Sequence, residues 1–196
     1  FTLAVYRTES KDGLDFYPSA AYTGSNPPPG WPLPPFFLDL PPFAGSLASE
    51  FSYRNIGEIT NEGVEVSFNM QQTPTFSWFV NYSYQADPEV KGVDPNEVSK
   101  PPEHRANLGY TWNGSSFFSS ATVNYVDDAF WTDVLDSRFW GPTDDYTMVN
   151  LTVGYRFSDS LAFSVIGQNI FDEEVQQHVF GDIITRKISG QLVFDF

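Results

Sequence analysis

Apolar and polar residues alternate with a period of two along most of this chain. Between residues 148 and 157, every second side chain is large and apolar: Val149, Leu151, Val153, Tyr155 and Phe157. The residues that separate them are Asn150, Thr152, Gly154 and Arg156. A strand collects alternate residues on one face, whereas a helix scatters them around its axis. This segment is therefore predicted to be a β-strand with one apolar and one polar face.

The alternation recurs along the chain and is interrupted by connections of two kinds. Eight strands are predicted, at residues 1–8, 51–72, 76–86, 103–112, 117–130, 146–158, 161–172 and 183–196. Short connections lie near 73–75, 113–116 and 158–160. Long connections rich in Asp, Pro and Gly lie at 9–50, 87–102 and 131–145, and the connection at 173–182 is intermediate. Transmembrane β-barrels have short turns at one end and long loops at the other.

Strand length and aromatic placement also favour a barrel. About 11 residues at roughly 3.3 Å each, tilted by about 45°, span about 25 Å, which is the height of the apolar band of such barrels. Aromatic residues lie near the predicted strand ends, where they would meet the membrane interface: Tyr84, Trp112, Trp131, Tyr146 and Phe157. A soluble β-sandwich alternates too, but these features favour an all-β, antiparallel transmembrane β-barrel.

The composition fits such a wall and excludes several kinds of site. Aromatic residues make up 17% of the chain although its mean hydropathy is only -0.28. The formal charge of -15 argues against a basic patch for nucleic acid. It is compatible with a surface that attracts cations, but acidity alone selects no ligand. The absence of cysteine from the sequence excludes disulfides, thiolate metal sites and cysteine catalysis.

The first 38 residues of the sequence show neither a transmembrane helix nor a signal peptide. The longest uncharged run, residues 16–38, contains seven prolines and is not a transmembrane helix. The chain opens with FTLAVYRT, which resembles a strand rather than a signal peptide. We therefore expect a mature fragment whose true N-terminus is missing.

Three segments resemble the TonB-dependent outer-membrane receptors. The segment YRNIGEITNEGVEVSFNMQQTPTFSWFVNYSYQ at 53–85 resembles the family's Gly-Val-Glu strand, short turn and Tyr-Ser-Tyr strand. PEHRANLGYTW at 102–112 resembles the strand that follows. Residues 146–196 resemble the C-terminal hairpins, including GQNIFDEEV at 167–175, where Ile170 and Val175 replace the usual Leu and Tyr.

The resemblance implies a fold, a location and a set of partners. The family forms a 22-strand barrel around an N-terminal plug, and residues 1–196 would be its C-terminal portion with the last eight strands. The plug, the TonB box and the earlier strands would be absent, and 9–50 would be a long Pro-rich extracellular loop. The implied protein lies in the bacterial outer membrane among lipid and lipopolysaccharide. It would import a scarce solute, driven by TonB through the missing N-terminal region. An iron–siderophore complex is the default cargo, and cobalamin, saccharides and other metals stay open.

Site residues follow from the loops and from the C-terminus. The expected ligand contacts are aromatic residues of the long connections: Trp31, Phe36, Trp131, Phe139 and Trp140. Phe194 and Phe196 resemble the terminal signal that the barrel-assembly machinery recognises, or they only face lipid. No cofactor, metal site or catalytic residue is predicted. The aromatic residues of the Pro-rich loop either fold back over the barrel mouth or contact a ligand or partner.

Several polar motifs receive a structural interpretation. Gly63 in NEGVE would permit a bend, and Asn169 and Asp172 would organise a strand end through bonds to nearby backbone. The acidic segment 87–97 lacks EF-hand spacing, so a solvated loop is favoured over a calcium site.

Two other functions stay open at this point. One is a complete eight-stranded barrel with an anchoring or adhesive role. The other is an outer-membrane hydrolase that uses His104 or His178, although no G-x-S-x-G motif is present.

Overall fold

The computed structural model describes residues 1–132 and 139–195 as β-strands joined by turns and loops. The strands within these ranges are β1 Thr2–Lys11, β2 Leu14–Ala21, β3 Ala48–Asn55, β4 Glu58–Thr73, β5 Phe76–Gln85, β6 Glu89–Lys91, β7 His104–Asn113, β8 Phe117–Val126, β9 Ala129–Trp131, β10 Gly141–Thr143, β11 Tyr146–Ser158, β12 Leu161–Gln168 and β13 Lys187–Phe194. Short 3-10 helices cover Pro35–Asp39 and Pro95–Glu97. In the described ranges, no helix has the length and apolar character needed to span a membrane.

Eight strands form one antiparallel wall. Their order is β1-β4-β5-β7-β8-β11-β12-β13, and β6 pairs with the start of β4. The sheet is open, with β1 and β13 at its edges in the described part of the chain. Smaller two-stranded ladders join β2 to β3 and β9 to β10. The predicted all-β, antiparallel class and the eight wall strands are confirmed.

The register of the wall collects apolar residues on one face and polar residues on the other. Leu108 in β7 lies opposite Val80 in β5 and Val123 in β8. The adjacent row of the sheet joins Asn81, Asn107 and Asn124. Since neighbouring residues of a strand point to opposite faces, one face of the wall is apolar and the other is lined by amides and hydroxyls.

The apolar face is not covered by a second sheet. Leu108, Val153, Leu192 and Phe194 expose 50%, 45%, 67% and 60% of their surface. The buried apolar residues of the described ranges lie outside the wall and are Leu38, Ala129 and Val175. A sandwich would bury the apolar face between two sheets. The arrangement instead fits a barrel whose apolar face meets lipid and whose polar face lines the lumen.

The connections differ in length at the two ends of the wall, as predicted. Two- or three-residue turns at 74–75, 114–116 and 159–160 join the strands at one end. The opposite end carries the long connections, which contain β2, β3, β6, β9 and β10. In an outer-membrane barrel the short turns face the periplasm and the long connections face outward. We call the second end the outer end.

Three predicted strands are interrupted at the outer end, and the strand predicted at 183–196 begins only at Lys187. The segment 51–72 is two strands, because Gly57 takes a φ of 73° between β3 and β4. The segment 117–130 is divided between β8 and β9, and the segment 161–172 ends at Gln168 because Asn169 takes a φ of 49°. Left-handed backbone interrupts a ladder, and the side-chain period does not reveal it.

The predicted loop at 9–50 contains regular structure that the sequence analysis did not anticipate. β2 and β3 pair beyond the outer ends of β1 and β4, so the two ladders form one long hairpin with a break. At the break, Asp12 N donates to Gly57 O at 3.1 Å and Ile56 N donates to Gly13 O at 2.8 Å. A Cβ on Gly57 would lie 2.0 Å from the carbonyl oxygen of Lys91, so only glycine fits beside β6.

The face assignment predicts an asymmetric response to charge in β11. Val153→Lys should destabilise the barrel by about 2–4 kcal/mol because its side chain meets hydrocarbon, and Thr152→Lys should cost much less because the lumen is hydrated. The measurement is chemical unfolding of the full-length protein in lipid bilayers. Equal losses for the two variants would contradict the assignment.

Candidate functional site

A cavity in the described structure forms a cleft at the outer end of the wall. Its volume is about 590 Å³. It lies between the β2–β3 hairpin and the connection that follows β6, and its lining residues are Asp15, Phe16, Tyr17, Pro18, Arg54, Ile56, Ile59, Val93, Glu97, Val98, Ser99, Thr132 and Trp140. Aromatic and aliphatic side chains form most of this surface, and three charged side chains interrupt it. We call this cavity the outer cleft.

Arg54 is the basic residue of the outer cleft, and two carboxylates hold it. Its Nη2 atom lies 3.3 Å from Asp15 Oδ2 and 2.9 Å from Glu97 Oε2. Its guanidinium carbon lies 5.4 Å from the ring centroid of Tyr17, within the range of a cation–π contact. The contacts join β2, β3 and the 3-10 helix at 95–97, so this arginine fixes the shape of the cleft as well as its charge.

The alternation of β2 and β3 explains why these residues meet. Asp15 and Tyr17 point to the same face of the hairpin as Arg54, which lies opposite Asp15 in the register. The other face carries aromatic rings, where Phe16 stacks on Phe51 at 5.1 Å and packs against Tyr53 at 5.3 Å. Ring packing on one face thus supports the charged residues on the other.

Trp140 is the predicted contact residue that lines the outer cleft. Trp131 and Phe139 belong to a neighbouring aromatic group instead. Trp131 packs against the ring of His178 at 4.7 Å and donates from Nε1 to Thr143 Oγ1 at 3.2 Å. Phe139 packs against Phe180 at 5.8 Å. This group joins the connection between β8 and β11 to the connection between β12 and β13.

Trp31 and Phe36 lie in the Pro-rich segment and do not line the outer cleft. Trp31 packs edge-on against Phe43 at 5.6 Å, and Phe36 stacks on Phe37 at 4.5 Å. Leu38 is 1% exposed. The segment therefore has a small apolar core of its own, while Phe36 keeps 56% of its surface exposed.

The acidic segment 87–97 uses its carboxylates for local contacts. Asp87 Oδ2 forms an ion pair with Lys100 Nζ at 3.0 Å. Asp94 accepts hydrogen bonds from the backbone and side chain of Asn96. Glu97 pairs with Arg54, as described above. In the part of the chain that the structure describes, no three histidine or acidic side chains converge on one point.

A second charged group lies where β6 joins the hairpin, beyond the apolar part of the wall. Glu58 accepts from Lys91 Nζ at 2.7 Å and lies 3.6 Å from Lys11 Nζ. The hydrogen bond from Lys91 lowers the pKa of the Glu58 carboxyl below its ordinary value, and the same bond raises the pKa of Lys91. A hydrogen bond to Glu9 raises the pKa of Lys11. These pairs stabilise the base of the long hairpin.

Asn169 organises the outer end of β12, as predicted. The residue is fully buried. Its Nδ2 donates to the carbonyls of Glu173 and Ile184 at 2.7 and 3.1 Å, and its Oδ1 accepts from Glu173 N at 3.0 Å. Asp172 Oδ1 accepts from Arg186 N at 2.8 Å. The amide therefore replaces the strand ladder where the chain turns, and the connection at 169–186 is held to the wall.

The two histidines and the C-terminal phenylalanines lie in separate environments. His104 Nδ1 lies 2.8 Å from the hydroxyl of Tyr82 at the outer end of β7. His178 packs on Trp131, far from His104 in the strand order. Phe194 ends β13 on the apolar face and is exposed, whereas Phe196 lies outside the described residues.

Sequence reasoning missed Asp15, Tyr17 and Arg54, the residues that give the outer cleft its charge. They fall in or beside the segment predicted as a loop. A period-two signal was present, because Leu14 and Phe16 alternate with Asp15 and Tyr17. No signal in the sequence shows that Glu97 approaches Arg54, since that contact depends on the path of a distant connection.

An open antiparallel wall with one apolar face, short turns at one end and a cleft among long connections at the other defines an outer-membrane β-barrel. The family model described as TonB dependent receptor-like, beta-barrel matches residues 1–170. The chain belongs to this family of TonB-dependent receptors. The family consists of outer-membrane barrels of Gram-negative bacteria, which confirms the predicted location.

Solved structures of similar fold are much longer than this chain. The ferric enterobactin receptor PfeA from Pseudomonas aeruginosa, in its G324V mutant, matches with a TM-score of 0.60 and 16% identity over 99% of this chain and 28% of that one. The copper transporter OprC matches with a TM-score of 0.61 and 15% identity over 99% and 28%.

A third solved structure has a similar fold. The closed form of the ferric-catecholate import receptor Fiu from Escherichia coli K12 gives a TM-score of 0.57 and 17% identity over 87% of this chain and 20% of that one. At such identities the likeness shows the fold alone. The search of curated proteins finds no match. The chain spans about 28% of the length of PfeA and of OprC.

The buried amide of Asn169 predicts a local loss of order when it is removed. Asn169→Gly tolerates the left-handed backbone but deletes three side-chain hydrogen bonds, so local opening of 169–186 should become easier by about 1–3 kcal/mol. Hydrogen exchange of the amides of Glu173 and Ile184 in the full-length receptor measures this change. Asn96→Gly, at an exposed position of the 3-10 helix at 95–97, is the control and should leave those amides unchanged. Equal protection in both variants would contradict the role of Asn169.

Proposed function

We propose that this chain is the C-terminal wall and outer surface of a receptor that imports a scarce solute across the outer membrane. An iron–siderophore complex is the leading candidate cargo. The supporting observation is the outer cleft, a cavity of about 590 Å³ at the outer end of a wall that belongs to the TonB-dependent receptor family. Cavities of this size accommodate a compact chelate, and their position among outer loops gives the solute direct access.

Energy for import would come from TonB through a region outside this chain. The lumen face of the described wall is lined mainly by amides and hydroxyls. The printed names of the structural neighbours include receptors for ferric enterobactin and a copper transporter. These names support metal or metal-chelate uptake as the class of transport. We also propose that an N-terminal plug and the earlier strands of the barrel complete the receptor.

The aromatic residues of the outer connections are the proposed contacts. Trp140 lines the outer cleft and would stack on the flat part of a cargo. Trp131 and Phe139 lie in the adjacent aromatic group and would form its second wall. Trp31 and Phe36 in the Pro-rich segment would meet the cargo, or a partner protein, only if that segment closes over the mouth.

Neither alternative function has comparable support. A complete eight-stranded barrel needs β1 and β13 to pair, and the described sheet is open between them. A histidine hydrolase needs a nucleophile beside His104 or His178, yet the two rings are engaged by Tyr82 and Trp131. We therefore propose a transport protein without catalytic activity.

Assembly into the membrane would use the last strand. Phe194 projects from the apolar face of β13, and β13 is an edge strand of the described sheet. An exposed edge with alternate apolar residues is suited to pairing with another strand during insertion. We propose that Phe194 and Phe196 are recognised by the barrel-assembly machinery and afterwards face lipid.

Growth and uptake measurements test the proposed transport. Deletion of the gene should abolish growth on one iron chelate under iron limitation, and the wild-type gene should restore it. Trp140→Ala should weaken binding of that chelate roughly tenfold, because buried aromatic contacts dominate binding energy. Trp112→Ala, at the periplasmic end of β7, is the matched control and should bind normally. Unchanged uptake of every metal chelate after deletion would contradict the proposal.

A further inference from the structure

The outer cleft carries more negative than positive charge at its lining. Asp15 and Glu97 are its carboxylates, and Arg54 is the basic side chain among the described residues that line it. Both carboxylates contact the same guanidinium, at 3.3 and 2.9 Å. One carboxylate offsets the arginine charge, so the lining retains an excess of one negative charge.

Among the described residues of the outer cleft, an anionic ligand therefore meets no cation that is not already paired. Arg54 already donates to two carboxylates and lies over the ring of Tyr17. An anion that approached the guanidinium would lie beside the two carboxylates that already contact it, and these carboxylates would repel it.

The surroundings of the outer cleft have the same sign. The described residues of the connections, at 12–57, 86–103, 127–132, 139–145 and 169–186, include 17 acidic residues but only four Lys or Arg. The described basic side chains of these connections are all held in ion pairs: Arg54, Lys91, Lys100 and Arg186. The summed field at the outer end attracts cations and repels anions before contact.

The apolar lining suits the organic part of a cationic molecule. Tyr17 and Trp140 contribute aromatic residues to the lining. Aromatic faces attract cations as well as flat apolar groups. The combination of rings with excess carboxylate is complementary to an organic cation and poorly complementary to a polyanion.

We infer that the outer cleft selects a cargo with net positive charge, such as a metal chelate that carries a free ammonium group. This inference rests on the proposed transport function and specifies the charge of its substrate. It separates two classes of iron(III) complex with similar size. A tris(hydroxamate) complex with a free ammonium group is a cation, whereas a tris(catecholate) complex is a trianion. The charge of the lining favours the first.

Equilibrium binding to the purified full-length receptor tests the inference with those two complexes as probes. The wild-type protein should bind the cationic complex at least about tenfold more tightly at low ionic strength, and added salt should narrow the difference. The double variant Asp15→Asn with Glu97→Gln should weaken the cationic complex roughly tenfold and tolerate the anionic one better. Arg54→Gln should shift the preference further toward the cation.

A matched double variant distinguishes the effect of the cleft carboxylates on affinity from a general effect of removing negative charge. Glu89→Gln with Glu174→Gln removes the same charge from exposed positions outside the cleft and should change either affinity by less than about twofold. Tighter binding of the trianionic complex by the wild type would overturn the inference while leaving a receptor for iron chelates. Equal effects of the two double variants would overturn it as well. Failure to bind or import either complex would instead count against the proposed function.

Discussion

The interaction on which the structure depends is backbone hydrogen bonding between antiparallel strands. Inside a bilayer no water is available to peptide groups, so each one must pair within the protein. A continuous ladder from β1 to β13 provides this pairing. Once the ladder is fixed, the period-two geometry of a strand determines where each side chain points. Alternate residues meet hydrocarbon, and the residues between them line the lumen. The apolar row through Val80, Leu108 and Val123 follows directly from that constraint.

The outer end departs from regular pairing because water and side chains replace the membrane constraint there. Gly57 and Asn169 take left-handed backbone at the ends of β3 and β12, and side-chain amides accept or donate the bonds that the ladder gives up. These interruptions let β2 and β3 rise beyond the wall and turn Asp15 and Arg54 toward the connection that carries Glu97. The regular wall therefore supports an irregular surface, and the outer cleft lies in the irregular part.

The sequence predicts the regular wall well and the irregular outer surface only in part. The strands of the wall were found because alternation such as Val149 to Phe157 is fixed by the membrane and is local in sequence. Asn169 was recognised as an organiser because an amide at a strand end bonds nearby backbone. The outer cleft was not predicted, since the contact between Arg54 and Glu97 joins residues in different connections. Trp140 was found by residue type alone, whereas the same argument also selected Trp31, which packs on Phe43 in its own segment.

The central claim is that alternate residues of the wall meet lipid and lumen, and spin labels on β11 test it most directly. The chain lacks cysteine, so single cysteines at positions 149 to 155 of the full-length receptor in liposomes can each carry a label. Collisions with dissolved oxygen report hydrocarbon, and collisions with a polar nickel chelate report water. The account predicts oxygen maxima at 149, 151, 153 and 155 and smaller values at 150, 152 and 154. Oxygen accessibility that does not alternate along the strand would contradict it.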